Sequence, residues 1–314
     1  MNVDALIIER VEFALGRLDL TPTYRQLLQT VAERHLTAQF KHFEACKPPA
    51  YLPFLCCEAN GVDPKRAVGV ASAWYLLELA AHLLDKVEDQ ELELIGIPQS
   101  ARGIYTNLST GMIFVAEWIL NHLELDCVNA GAAWDIQRAF QETVLAVCSG
   151  QHLDLSVASP DLSTCWQIAE AKSGSAFALA CYVGTRAATN QSERLRAMEN
   201  FGRCLGTIIQ ISDDIEDLGR NPHHDDRKPI LSPLANAYLA HISAYQGVSR
   251  SPSSSDKPET PPLNNSLFLY LRLEALKYAE MARNELNAYQ LALSPREQIL
   301  AILNHLSWLG ASVN

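Results

Sequence analysis

The side chains in this sequence whose types and spacing could do chemistry are acids at the ends of apolar stretches. Leu83-Leu84-Asp85-Lys86-Val87-Glu88-Asp89 closes one stretch, and Gln210-Ile211-Ser212-Asp213-Asp214-Ile215-Glu216-Asp217 closes another. On a helix, Asp85 and Asp89 share one face about 6 Å apart, and so do Asp213 and Asp217. Like charges at that spacing repel mildly, and acids near a helix C-terminus oppose the helix dipole, so capping does not explain them. Carboxylates on one face suit a hard divalent cation. Magnesium is commonly held by a few carboxylates together with substrate phosphate oxygens. The chemistry to expect is metal-assisted handling of a phosphorylated substrate.

The elements that must position these acids are helices. Apolar residues recur every three or four positions, as in Leu6, Ile7, Val11 and Leu15, or Ile299, Leu303, Leu306 and Leu309. The spacing predicts long helices over 64–91, 104–125, 131–154, 162–188 and 192–219. Breaks fall at Lys47-Pro48-Pro49, Gly61 to Pro64, Gly96 to Pro98, Ser159-Pro160 and Asn221-Pro222. Several of these helices are apolar almost all round, as a helix surrounded by other helices is. Residues 246–265 are Ser/Pro-rich and read as a surface loop. The expectation is one all-α domain over 1–314, a bundle of about ten helices.

Composition narrows the function. The 314 residues carry 25 basic and 36 acidic side chains, a net charge of -11, so nucleic acid and anionic lipid are poor partners. No run looks apolar enough over 18 residues to span a membrane, and Met1 to Arg17 has no signal-peptide apolar core, which points to a cytoplasmic protein. The eight cysteines form no C-x-x-C pair and read as small core hydrophobes in a reducing compartment. His223 and His224 lie in a polar turn and read as solvated, and His82 and His152 carry no assigned role.

The two acid-rich motifs on apolar helices resemble those of the trans-type isoprenyl diphosphate synthases, the polyprenyl synthetase family, and of their class I terpene synthase relatives. Gly150-Gln151-His152-Leu153-Asp154 is similar to the family's G-Q-x-x-D step, and Lys172-Ser173 to its K-T dipeptide. Gln210 with Asp213, Asp214 and Asp217 matches Q-x-x-D-D-x-x-D, and Asp226 and Lys228 resemble part of the stretch that follows it. The resemblance implies Mg²⁺, three ions held with the substrate diphosphate by Asp85, Asp89, Asp213 and Asp217. It implies phosphate contacts from Lys172 and Lys228, substrate-binding roles for Gln151, Asp154 and Gln210, and a homodimer. In the family, residues four and five before the first motif face the prenyl tail. Here they are Ala81 and Ala80, with Trp74 eleven residues before Asp85 and ~16 Å deeper, room for about three or four isoprene units. Trp74, Tyr75, Phe114, Phe177 and Tyr182 offer π faces to a cation.

Three departures shape the expected activity. Lys86 replaces the second aspartate of the first motif. The G-K-R segment that grips isopentenyl diphosphate is reduced to Lys47 in Cys46 to Pro53. The R-R-G after the first motif becomes Leu94 to Pro98. A second diphosphate without cations is costly to hold. The expectation is therefore a terpene synthase that ionises a C15–C20 allylic diphosphate and cyclises, deprotonates or hydrates the cation. The alternative is a prenyltransferase that draws acceptor cations from Arg102, Lys65 or Arg66. A third reading, a catalytically silent regulatory subunit, sits badly with the intact Asp213-Asp214-x-x-Asp217.

Overall fold

The computed structural model describes residues 2–42, 46–219, 233–245 and 263–309. Among them every regular element is helical: α1 Val3–Arg17, α2 Pro22–His42, α3 Leu52–Ala59, α4 Val68–Glu88, α5 Arg102–Leu120, α6 Ala130–Ser156, α7 Leu162–Ala169, α8 Ser175–Ala188, α9 Ser192–Gly219, α10 Pro233–Tyr245, α11 Leu263–Asn287 and α12 Leu293–Leu309. Residues 246–262, most of the expected loop, lie outside the described residues, and Leu263 to Asn265 open α11.

Local chemistry sets the boundaries. Asn2 caps α1 by accepting the Ala5 N–H, and Asp161 caps α7 by accepting the Thr164 N–H at 2.7 Å. The stretch expected at 64–91 opens as a 3₁₀ turn, Pro64–Ala67, because a proline behind the Asp63 cap suits a first turn that needs no N–H. It ends early at Glu88. There Gln90 takes φ 61, and the Glu91 N–H returns to the Lys86 carbonyl at 2.9 Å, a Schellman closure without glycine. The helix expected over 162–188 is interrupted by a π-helical turn, Glu170–Gly174, between α7 and α8. Such insertions recur at functional sites.

The chain divides into two compact units. The first comprises Met1–Glu142, Leu179–Glu199 and Ala288–Ile302, and the second Thr143–Ala178, Asn200–Asn287 and Leu303–Asn314. In the first, α4 packs chiefly on α5, burying Val70, Trp74, Leu76 and Leu79 with Leu108, Met112 and Ile119. Burial of each large side chain contributes about 1.5–3 kcal/mol. The Gly69 N–H donates to Asp126 Oδ2 at 3.1 Å, and Arg10 pairs with the other carboxylate oxygen. The second unit has its own core of Ile211, Ile215, Leu234, Tyr238, Leu267, Leu271 and Ala275, edged by Trp166, Tyr270 and Tyr278.

One segment, Pro64–Glu88, is in length and composition apolar enough to cross a membrane, which corrects the sequence expectation. Of its apolar window, 78% is buried inside the protein, because α4 is a core helix enclosed by its neighbours.

Candidate functional site

Each acidic cluster falls in a different unit, the first in the Met1–Glu142 segment and the second in Asn200–Asn287. In the first, most of α4 up to Leu83 is apolar and buried, and its last turn then carries Asp85 and Glu88, with Asp89 at the cap. Asp85 is half-buried and Asp89, the C-cap, is exposed; the Asp89 N–H donates to the Asp85 carbonyl at 2.9 Å, so the two stand one turn apart. Lys86, where the family has an aspartate, directs its ammonium to Glu91 Oε2 at 2.7 Å. Burial would lower the Lys86 pKa, but the Glu91 hydrogen bond and charge, with Asp85 and Asp89, raise it, so this lysine stays charged.

Below Asp85 the same stripe of α4 is polar. His82 and Glu78 follow at one and two turns, and both face α2. The His82 ring lies 5.6 Å from that of His35, and Gln39 Nε2 donates to Glu78 Oε2 at 3.3 Å. Enclosure of the carboxyl pushes the Glu78 pKa up to about 7 against the lowering effect of the Gln39 hydrogen bond. Burial, with His82 beside it, pushes His35 down to about 4. Gln39 Oε1 is buried with no donor, a vacancy that a protonated Glu78 would fill. Neither Glu78 nor its partners stood out in the sequence, because a lone acid in an apolar helix gives no pattern. A group whose folded pKa is raised loses stabilisation as pH climbs from the ordinary glutamate range through 7. Glu78→Gln is therefore expected to raise the denaturation midpoint above pH 7, with the gain shrinking toward pH 4.5. Parallel curves at both pH values would sink this reading.

In the second unit the sequence-predicted residues gather around the π turn. That turn places Lys172 and Ser173 on successive positions. Lys172 Nζ pairs with Asp154 Oδ2 of α6 at 2.8 Å, and the Ser173 hydroxyl donates to Gln210 Oε1 of α9 at 3.2 Å. Two glycines make this approach sterically feasible. A Cβ on Gly150 would sit 2.8 Å from Ala171 Cβ, and one on Gly206 would sit 2.2 Å from the Ser173 carbonyl oxygen. Tyr278 of α11 donates to Glu170 Oε1 at 3.3 Å, bracing the start of the turn. Gln151 is half-buried one turn before Asp154. On α9, Asp213 is exposed and Asp214 buried, while the adjacent Ser212 hydroxyl donates to the Leu306 carbonyl of α12 at 3.1 Å. Burial first, then the charges of Asp214, Asp154 and Asp161, pushes the Cys165 thiol up to about 11, which leaves it an unreactive group in the core of the second unit.

Other expected residues fall less neatly. Phe114 is 65% exposed on α5, whereas Met112 and Val115 are buried, so within this chain it does not wall a water-free cavity, which corrects its assignment. Trp74, Tyr75 and Phe177 are buried, with the Tyr75 hydroxyl donating to the Ala32 carbonyl at 2.5 Å. Ala80 is fully buried and Ala81 half-buried, as residues about 100° apart on a helix must differ. Lys47 sits 5.0 Å from the Tyr51 ring centre, Lys65 and Arg102 are exposed, and Arg66 is half-buried. Asp217 belongs to α9, but its side chain, like Asp226, Lys228, His223 and His224, lies outside what is described.

The donor set fits magnesium. The groups on offer are carboxylate oxygens on half-buried or exposed helix ends. Among the described residues no three His, Cys, Asp or Glu side chains close a cage. Magnesium keeps several waters and takes one or two carboxylates plus phosphate oxygens, so an incomplete protein shell suits it. Residues 102–235, which hold the Gln151–Asp154, Lys172–Ser173 and Gln210–Asp217 segments together, match the family described as polyprenyl synthetase. Over that segment the chain is similar to the polyprenyl synthetases. A short chain isoprenyl diphosphate synthase of Methanothermobacter thermautotrophicus is 26% identical over 238 residues, 74% of this chain and 69% of that protein. The geranylgeranyl pyrophosphate synthetase of Geoglobus acetivorans shares the fold, with a TM-score of 0.72 and 19% identity over 96% of this chain and 95% of that one. So does a polyprenyl synthase of Caulobacter crescentus solved with calcium and isoprenyl diphosphate, with a TM-score of 0.61 and 17% identity over 97% and 93%. These likenesses back the all-α isoprenoid-synthase fold. They also support the prenyltransferase alternative better than the expected terpene cyclisation.

Proposed function

We propose that this polyprenyl synthetase relative is a Mg²⁺-dependent, cytoplasmic prenyltransferase, a single functional domain that joins an allylic prenyl diphosphate to isopentenyl diphosphate. The observation that carries the proposal is the match of residues 102–235, which contain every site residue of the second unit, to a family of chain-elongating enzymes. In the reaction the allylic C–O bond breaks and its electron pair leaves with pyrophosphate. The isopentenyl double bond then attacks the allylic carbon, and a proton is lost to restore an alkene. Bound Mg²⁺ would neutralise the charge that grows on the leaving group, acting as a Lewis acid and a template. Asp85, Asp89, Asp213 and Asp217 are the residues assigned to hold it, with Asp214 supporting the second motif.

Lys172, oriented by Asp154, would contact the diphosphate, and Lys228 is assigned the same task. Gln151 and Gln210 would orient substrate oxygens, while Trp74, Ala80, Ala81 and Phe177 would bound the tail. The acceptor cations missing from the family pattern would come from Arg66, Lys65, Lys47 or Arg102. A homodimer belongs to the same reading, since Ile104 and Phe114 leave apolar surface on α5 for a second copy to cover, and sedimentation velocity reads it directly.

The deciding measurement is incubation with Mg²⁺ and C10, C15 or C20 allylic diphosphate, with and without isopentenyl diphosphate. The expected result is a longer diphosphate formed only when both substrates are present. Pyrophosphate release from the allylic substrate alone, with a hydrocarbon or alcohol as product, would overturn the proposal.

A further inference from the structure

We propose that Glu91 is a positioning residue whose carboxylate draws the Lys86 ammonium away from Asp85 and Asp89 and so preserves divalent-cation binding by the end of α4. The inference rests on the assignment of Asp85 and Asp89 to the metal. Lys86 is a reversal of charge inside an acidic motif, one residue after Asp85 and three before Asp89. A lysine reaches a carboxylate three positions away on the same helix, so an unoccupied Lys86 would pair with Asp89 and compete with any cation placed there. In the structure its ion-pair partner is instead Glu91, at 2.7 Å.

The backbone arranges this pairing. The chain leaves α4 through Gln90 in the left-handed region, φ 61, where side chains other than Gly, Asn and Asp seldom sit. Gln99 donates its side-chain amide to the Gln90 carbonyl, holding the turn from outside the helix. The reversal carries residue 91 back beside residue 86, so the Glu91 N–H meets the Lys86 carbonyl at 2.9 Å while the two side chains pair. Backbone and side chain thus make the same connection twice. Glu91 is 41% exposed and Lys86 22%, so the pair adds little to folding, and its consequence lies in where the ammonium points.

The test is a titration of the full chain with Mn²⁺ alone, following free Mn²⁺ by electron paramagnetic resonance, with circular dichroism to confirm the fold. Glu91→Gln is expected to weaken binding by about three- to ten-fold, the scale of one partly exposed charge contact. Lys86→Met added to Glu91→Gln should restore wild-type affinity, because no ammonium is left to compete. Wild-type affinity in Glu91→Gln overturns the proposal. So does a double variant as weak as Glu91→Gln, which would make Glu91 a ligand in its own right. If Mn²⁺ binding is insensitive to Asp85→Asn and Asp89→Asn, the metal assignment itself fails. A response to those two substitutions without a response at Glu91 leaves that assignment standing and removes only the positioning role.

Discussion

Asp213→Ala is expected to lower turnover by about 10³ or more while leaving the thermal midpoint and the helical circular dichroism close to wild type. The size follows from the charge that must be stabilised when an allylic C–O bond breaks. Loss of one preorganised electrostatic contact to such a leaving group typically costs a factor of 10² to 10³, and loss of a metal ligand costs more. The fold should survive because Asp213 is exposed on α9, whereas its neighbour Asp214 is buried beside the core group Cys165. Asp214→Ala should therefore lose stability as well as activity, and the contrast between the two variants separates chemistry from packing. Activity in Asp213→Ala within ten-fold of wild type would remove the second motif from the reaction.

A second large effect should come from a residue that touches no substrate. Gly206→Ala places a methyl group 2.2 Å from the Ser173 carbonyl oxygen, 2.6 Å from its carbon and 2.9 Å from the Gly174 Cα. These are backbone atoms of the π turn and cannot swing aside as a side chain would. Overpacking of this kind costs about 1–3 kcal/mol, occasionally more, and the strain should be relieved by pushing the turn away from α9. Ser173 would then lose Gln210, and Lys172 would shift from its place against Asp154. The expected result is a thermal midpoint several degrees lower, together with a raised KM for the allylic diphosphate. A variant with wild-type stability and KM would mean that the turn tolerates a wider separation than the structure shows.

Much of the molecule was legible in the sequence for identifiable reasons. Helical periodicity is a local property, so the long helices emerged with their ends within a few residues, and glycines and prolines marked the breaks between them. The acidic ends of α4 and α9 stood out because carboxylates at four-residue spacing beside leucine and isoleucine have no solvation role. The pairing of Asp154 with Lys172, and of Ser173 with Gln210, joins residues from separate motifs that the resemblance had already named.

The remainder depended on contacts between segments far apart in the chain. Sequence alone determined the all-α class, the positions of the acids and the family likeness, because each depends on residue type at short spacing. Tertiary structure alone decided that residues 170–174 form a π turn, that glycines 150 and 206 are small to let helices touch, and that Phe114 faces solvent. It also decided that Glu78 meets Gln39 across two helices and that Glu91 returns to Lys86 through a left-handed glutamine. In each case a side chain's environment is supplied by a distant segment or by an uncommon backbone conformation. Neither leaves a mark on the local pattern of polar and apolar residues.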